Sequence, residues 1–226
     1  MKLTTKTRPG FAPIPALHVA VLTALLYAVA PGAAEATLLL EPTSDTGTGV
    51  FYTGGVTLGY QFTITTTENV AALGLWDHSS DGLNGPHEVG LWNNSGTLLA
   101  STTVSNASVV VPSTFNEGRW MFEDITAISI GPGTYYLGMQ QPSSAQDLYV
   151  AGTVAVNVAG ASKGNGYVGG LNSNALVFPN IFQASDAYFG PNFSTTSVAA
   201  PEPTSALLLL GSGAVLLLRR RRAAAL

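Results

Sequence analysis

Hydrophobic and polar residues alternate along much of the middle of the chain. Residues 60–65 alternate with period two, and residues 73–77 do so if Gly74 counts as a filler. Successive side chains of a strand point to opposite faces of a sheet, so this alternation predicts β-strands. The same reasoning predicts further strands at residues 88–92, 97–104, 109–111, 120–124, 128–130, 134–139, 148–150 and 154–158.

Turn-forming residues separate these predicted strands, for example Asn94-Ser95-Gly96 and Gly131-Pro132-Gly133. Apolar residues do not recur there at the helical spacing of 3.6 residues. Many short strands at roughly ten-residue spacing predict an all-β fold, an antiparallel β-sandwich or jelly roll. The glycine-rich residues 160–170 are expected to form a mobile surface loop, and residues 172–193 to hold one or two closing strands.

The N-terminal pattern predicts a signal peptide over residues 1–36. An apolar stretch at residues 16–30 follows a basic start, and it is shorter than the roughly 20 residues of a stable membrane span. Ala34 and Ala36 fit the small-residue pattern of a signal peptidase site, which places cleavage after Ala36. The expected partners are therefore the export machinery and signal peptidase, and an uncleaved anchor is the alternative.

The C-terminal pattern predicts a single transmembrane helix within a tail of residues 199–226. Its apolar part, residues 204–218, would span about 22 Å at 1.5 Å per residue, short of a hydrocarbon core of roughly 30 Å. The positive-inside rule keeps the arginine cluster at residues 219–222 in the cytoplasm, which leaves residues 37–198 outside as the exported domain. Residues 194–200 are expected to form a tether.

The tail resembles a known sorting signal. A Pro-Glu-Pro motif, a short apolar helix and terminal arginines resemble the PEP-CTERM signal of Gram-negative bacteria that make extracellular polysaccharide. The resemblance implies a transient inner-membrane intermediate, processing by an exosortase near the motif, and release to the cell surface or outside. It assigns the sorting role to Pro201, Glu202, Pro203, Arg219, Arg220, Arg221 and Arg222.

The middle of the chain also resembles a family. Residues 58–63, 70–74, 87–92 and 96–100 follow a pattern typical of a β-sandwich domain of unknown function. That family occurs in bacterial secreted and surface proteins, often ahead of PEP-CTERM tails. It has no assigned activity, so the resemblance implies a fold and no chemistry.

Charge and composition exclude several classes of function. Residues 37–198 hold two basic residues, Arg119 and Lys163, against eleven acidic ones, a net charge of −9. Nucleic acid is excluded as a partner, because phosphate binding needs a basic patch. The chain has no Cys, which excludes disulfides, thiolate zinc sites and Cys nucleophiles.

One loop has the spacing of a calcium site. Counted from Asp77 as position 1, Ser79, Asp81 and Glu88 fall at positions 3, 5 and 12, and Gly82 falls at position 6. This is the oxygen-ligand spacing of an EF-hand loop. Two features depart from that motif, the Ser at position 3 and the flanking strands, so an acidic hydrogen-bonded hairpin loop is the alternative.

The exported domain offers few catalytic groups. His78 and His87 are its histidines, and a transition metal held by them with nearby acids is a further alternative. A Gly-x-Ser-x-Gly run surrounds Ser162, but no helix is predicted after it and both histidines precede it, against the order of that hydrolase fold. A hydrolase built on paired carboxylates is the least favoured alternative. We therefore expect no enzyme and no catalytic residues.

The leading hypothesis is a non-enzymatic surface or extracellular-matrix protein without a cofactor. The first alternative is a module that binds extracellular polysaccharide, with or without Ca²⁺. Aromatic residues would suit such a module if several faced solvent, although their period-two positions favour core packing. The residues concerned are Tyr60, Phe62, Trp76, Trp92, Trp120, Phe122, Tyr135 and Tyr136.

Overall fold

The computed structural model describes residues 36–45, 47–49, 54–184 and 190–198. This part of the chain contains fourteen β-strands and no helix. The strands are β1 Leu40–Pro42, β2 Gly47–Gly49, β3 Val56–Ile64, β4 Glu68–His78, β5 His87–Asn93, β6 Leu98–Val104, β7 Val109–Val111, β8 Gly118–Ile130, β9 Gly133–Gln141, β10 Tyr149–Ala151, β11 Val154–Val156, β12 Ala161–Gly169, β13 Ile181–Ala184 and β14 Pro191–Ser194.

Two antiparallel sheets form the sandwich. The large sheet has the order β13-β12-β3-β9-β5-β6, and the small sheet has the order β14-β4-β8-β7. Two short pairs, β1 with β11 and β10 with β2, are also antiparallel. The prediction of an all-β antiparallel sandwich is confirmed. The predicted flanking helices lie outside the described residues, and no helix within those residues is long and apolar enough to cross a membrane.

The main core lies between the inner faces of the two sheets. On β3 of the large sheet, Leu58, Tyr60 and Phe62 are fully buried. Phe62 contacts Phe193 on β14 of the small sheet, with ring centroids 5.5 Å apart. Each such side chain contributes roughly 1.5–3 kcal/mol by leaving water, so the alternating apolar positions of the sequence account for the pairing of the layers.

The small sheet is also apolar on its back, the face turned away from the large sheet. Trp76 on β4 lies directly opposite Trp120 on β8, with the rings edge-on and 5.0 Å apart. Gly74 lies opposite Phe122, whose ring packs against the glycine backbone so closely that a Cβ there would be 2.5 Å from it. The sequence pattern of β4 is apolar at nearly every position because both faces are covered.

Residues 38–42 cover this back face. Asn192 on β14 pairs with Gly74, and its side chain accepts a hydrogen bond from the Leu40 N–H (3.1 Å) and donates one to the Leu40 carbonyl (2.7 Å). The buried Glu41 accepts hydrogen bonds from the Trp120 indole N–H (2.9 Å) and the Thr114 N–H (2.8 Å). These contacts satisfy the polar groups of a segment that would otherwise be buried without partners.

The structure differs from the sequence prediction in two places. The glycine-rich residues 160–170 are not a loop, because Ala161–Gly169 forms β12 and pairs with both β3 and β13. The two strands predicted at residues 120–124 and 128–130 are one strand, β8, with a register shift opposite β4. The one or two closing strands predicted at residues 172–193 are found as β13 and β14.

Gly74→Ala tests the contact between the small sheet and the Phe122 ring. The added methyl group must push against a fully buried ring, and such overpacking typically costs about 1–3 kcal/mol. At roughly 2–4 °C per kcal/mol for a chain of this size, circular dichroism should record a clear drop in melting temperature.

Gly131→Ala is the matched control for this substitution. A Cβ at Gly131 meets no heavy atom within 4 Å, and this residue does not have a positive φ. We expect the Gly131→Ala variant to have the same melting temperature as the unsubstituted chain. Equal melting temperatures for Gly74→Ala and Gly131→Ala would contradict the tight packing at Gly74.

Candidate functional site

The loop at residues 79–86 joins β4 to β5 and carries the predicted cation site. Ser79 and Ser80 both have positive φ, 64° and 57°, and Gly82 has a φ of 99°. The left-handed region costs an ordinary residue roughly 1–2 kcal/mol, so the loop needs external support. A hydrogen bond from the Ser79 N–H to the Glu117 carbonyl (2.7 Å) provides part of it.

Asp77, near the end of β4, supports the loop through its side chain. Its side chain is almost completely buried, and Oδ1 accepts a hydrogen bond from the Gly82 N–H at 3.1 Å. Oδ2 accepts a hydrogen bond from the Arg119 Nε–H at 2.7 Å, and Arg119 is the residue directly opposite on β8. Both carboxylate oxygens therefore have structural partners, and one partner is a cation.

The other predicted calcium ligands lie in different surroundings. Asp81 is exposed in the loop, and Glu88 is exposed on β5 opposite Thr103. Among the described residues, no group of three or more His, Asp or Glu side chains could hold a metal ion. In this geometry the hydrogen bonds of Asp77 anchor the turn, as in the alternative of a hydrogen-bonded loop. Asp81 and Glu88 are exposed.

His87, at the other end of the loop, is fully buried and paired. Its Nδ1 lies 2.9 Å from the Gln140 carbonyl, and its Nε2 lies 2.6 Å from Oδ2 of Asp147. A carbonyl can only accept, so Nδ1–H donates and Nε2 shares a proton with the carboxylate. Asp147 also accepts a hydrogen bond from the Asn84 N–H (3.0 Å). Sequence reasoning missed this pair, because 60 residues separate its members.

Among the described residues, the hydrogen bonds of the two histidines do not include a hydroxyl group. Both ring nitrogens of His87 are engaged, so it has none left to activate a hydroxyl group. The Nδ1 of His78 has no hydrogen-bond partner in the described part of the chain, Ser162 included. Ser162 lies within β12, where its hydroxyl pairs with that of Thr63 at 2.6 Å, so the Gly-x-Ser-x-Gly run is a strand rather than a strained turn.

The aromatic residues divide between the core and the outer face of the large sheet. Five of the eight that the sequence singled out are at most 1% exposed, as the preference for core packing predicts, namely Tyr60, Phe62, Trp76, Trp120 and Phe122. Trp92 and Tyr136 lie on the outer face, where they join a row that sequence reasoning missed. Successive ring contacts in this row run Trp92–Phe178–Tyr136–Tyr167–Phe182, at centroid distances of 5.0–6.2 Å.

The two ends of the exported domain lie side by side. Leu38 bridges Ser194, and the Thr37 carbonyl accepts a hydrogen bond from the Thr195 N–H at 2.9 Å. The Val198 N–H donates to Oδ1 of Asp124 at 2.8 Å. The part of the predicted tether at residues 195–198 is therefore attached to the sandwich. Ala36, the predicted cleavage residue, is partly buried against the core, while Ala34 and the sorting motif lie outside the described residues.

Asp147→Ala tests whether the buried pair with His87 holds the loop. Removal of one partner of a buried pair typically costs about 3–5 kcal/mol, since the other is left without compensation. We expect a large fall in the free energy of unfolding, measured by urea denaturation. Asp81→Ala removes an exposed carboxylate of the same loop and is expected to stay within about 0.5 kcal/mol. Similar losses of unfolding free energy in both variants would contradict the conclusion that the His87–Asp147 pair holds the loop.

A calcium titration tests the EF-hand-like spacing directly. Because Arg119 neutralises Asp77, we expect millimolar Ca²⁺ to leave the melting temperature of the full chain unchanged. A cation present at one hundred times its Kd would stabilise the fold by about 2.7 kcal/mol, which a thermal melt detects readily. A rise of several degrees that is absent in Asp81→Ala would restore Asp77, Ser79, Asp81 and Glu88 as ligands.

Two parts of the chain match known protein families. Residues 43–190 match the family described as Domain of unknown function (DUF4082), and residues 199–222 match the PEP-CTERM protein-sorting motif. No curated protein and no solved structure matches the chain. Since the first match covers more than half of the residues, the chain belongs to the DUF4082 family and carries a PEP-CTERM sorting motif behind that domain.

Proposed function

We propose that the chain is a non-enzymatic protein of the cell surface or extracellular matrix. The sorting motif is a C-terminal signal for export through the membrane to the surface or beyond, and it implies processing by an exosortase. The family of the sandwich domain has no assigned function. The destination of the protein thus comes from its tail, and its role there has to be argued from the described residues.

The observation that carries the proposal is the position of the two predicted cuts relative to the fold. Cleavage after Ala36 leaves Thr37 as the first residue, ahead of β1, which begins at Leu40. The Pro-Glu-Pro motif begins at Pro201, three residues after Val198 and its hydrogen bond to Asp124. Both cuts would remove the ends without removing a strand, as the maturation of an exported structural domain requires.

The proposal that the protein is not an enzyme rests on the hydrogen bonds of its buried acidic residues and its buried histidine. Glu41, Asp77 and Asp147 each accept hydrogen bonds that hold a segment in place, and His87 is fixed between two acceptors. General acid–base groups instead face a substrate with at least one open position. The acidic surface, at a net charge of −9 for residues 37–198, favours solubility outside the cell.

Intact-mass analysis of the protein from culture supernatant and cell envelope tests this proposal. We expect the supernatant form to begin at Thr37 and to end near Pro201, without the tail arginines, because both cuts lie outside the strands. The envelope fraction should also contain a form that keeps the arginines. An intact chain with both ends present and dissolved in the cytosol would overturn the proposal.

The arginine cluster provides the matched variants for this experiment. Replacement of Arg219, Arg220, Arg221 and Arg222 by Ser should weaken membrane retention or invert the tail, because the positive charge that fixes its orientation is lost. Replacement by Lys keeps the charge and should keep the orientation. Unchanged fractionation and orientation of the Ser variant would count against this role for the arginines.

A further inference from the structure

The outer face of the large sheet carries a cluster of uncharged polar and aromatic side chains, here named the tyrosine face. The register places its members on neighbouring strands with their side chains on one side, since Gln61 pairs with Tyr136 and Thr63 pairs with Ser162. Phe182 on β13 lies opposite Tyr167 on β12. The tyrosine face consists of Gln61, Thr63, Tyr136, Ser162, Tyr167 and Phe182.

Ordered polar contacts lie at the centre of this face. The Gln61 Nε2–H donates a hydrogen bond to the Tyr136 hydroxyl at 2.7 Å. Burial raises the pKa of Tyr136, the bond from Gln61 lowers it, and the neighbouring Tyr167 raises it. The rings of Tyr136 and Tyr167 pack edge-on with centroids 5.2 Å apart. Tyr167 is half-buried, so part of its side chain faces solvent.

Aromatic surface lies next to these donors and acceptors. Phe182 is 57% exposed, although its ring contacts Tyr167 edge-on with centroids 6.1 Å apart. The exposed ring of Phe182 continues the row of packed rings, so it offers a ligand apolar surface next to the polar groups of Tyr167 and Gln61. On the other side, the hydroxyl groups of Thr63 and Ser162 are bonded to each other at 2.6 Å, and each can still donate or accept.

We propose that the tyrosine face binds a neutral polysaccharide, a reading that rests on the proposed extracellular function. The apolar C–H face of a sugar ring would pack on Phe182 and Tyr167, and its hydroxyl groups would pair with Tyr167, Gln61 and Ser162. None of the six side chains is charged, and Lys163 is directed to the opposite side by its pairing with Phe62. An acidic polymer would be repelled by a domain of net charge −9.

A second copy of the chain is the competing occupant. β13 is an edge strand of the large sheet as described, and Ile181 beside Phe182 is 45% exposed, so an edge-to-edge pairing has the required apolar side chains. Two copies would bring two domains of net charge −9 together and would desolvate the hydroxyl groups of the face. The charge and the polar content thus favour a glycan over self-association.

Affinity electrophoresis of the full chain tests the proposal, in a detergent without a sugar headgroup. Hydroxyethylcellulose and dextran serve as neutral probes and alginate as the anionic one. We expect retardation by at least one neutral polymer and none by alginate. Phe182→Ser should weaken the binding about tenfold, an effect of 1.4 kcal/mol. Tyr167→Phe, which removes only the hydroxyl group, should weaken it about threefold.

Val110→Ser is the matched control, because Val110 is 48% exposed on β7 of the small sheet, away from the tyrosine face. It should bind like the unsubstituted chain. Absence of retardation by both neutral polymers, or equal loss in Val110→Ser and Phe182→Ser, would overturn the glycan site. Concentration-dependent dimerisation that Phe182→Ser abolishes would also overturn it, in favour of the second copy. The mass analysis of the processed forms is independent of this face, so a released protein that binds no glycan rejects the site alone.

Discussion

The attachment of residues 38–42 to the back of the small sheet is the interaction on which the rest of the structure depends. Without it, the buried Trp120 would lose the carboxylate of Glu41 that accepts its indole N–H, on a sheet that is apolar on both sides. The side chain of Asn192 holds Leu40 across 152 positions of sequence, so the core closes only when both ends of the domain are present. The closure of this core therefore depends on β14, which lies at the C-terminal end of the domain.

Much of the fold could be predicted from the sequence, because the main sandwich follows the period-two pattern. In β3, buried positions alternate with half-buried ones from Tyr60 to Ile64, whereas β9 is buried throughout residues 136–141. β12 was predicted as a loop because its glycines give no pattern, yet its backbone completes the hydrogen bonding of β3, with a bulge between Lys163 and Gly166. β1 has three residues, and it is held by its pairing with β11, by the Asn192 side chain and by the contacts of its own Glu41.

Less of the candidate site could be predicted, because the partner of each buried charge is distant in sequence. The spacing from Asp77 to Glu88 matches an EF-hand loop, but the strand register turns Asp77 toward Arg119, 42 residues away. Spacing along the chain describes a loop in isolation, whereas the antiparallel pairing of β4 with β8 decides which group the carboxylate meets. The tail differs in this respect, since its hydropathy and its motif are local properties of the sequence.

The two faces of the sandwich have different physical roles, and this difference bears on where a ligand can be held. On the back of the small sheet, Glu41 contacts Trp120 and Phe115 packs against Trp76, so both tryptophans are part of the core. On the large sheet, Phe178 and its neighbours cover Trp92, while Tyr167 and Phe182 at the other end keep part of their surface in water. A glycan there would add its contacts to a row of rings already fixed by one another, so little conformational entropy would be lost on binding. The proposed glycan site would therefore depend on the ring-to-ring packing of this row more than on the number of exposed rings.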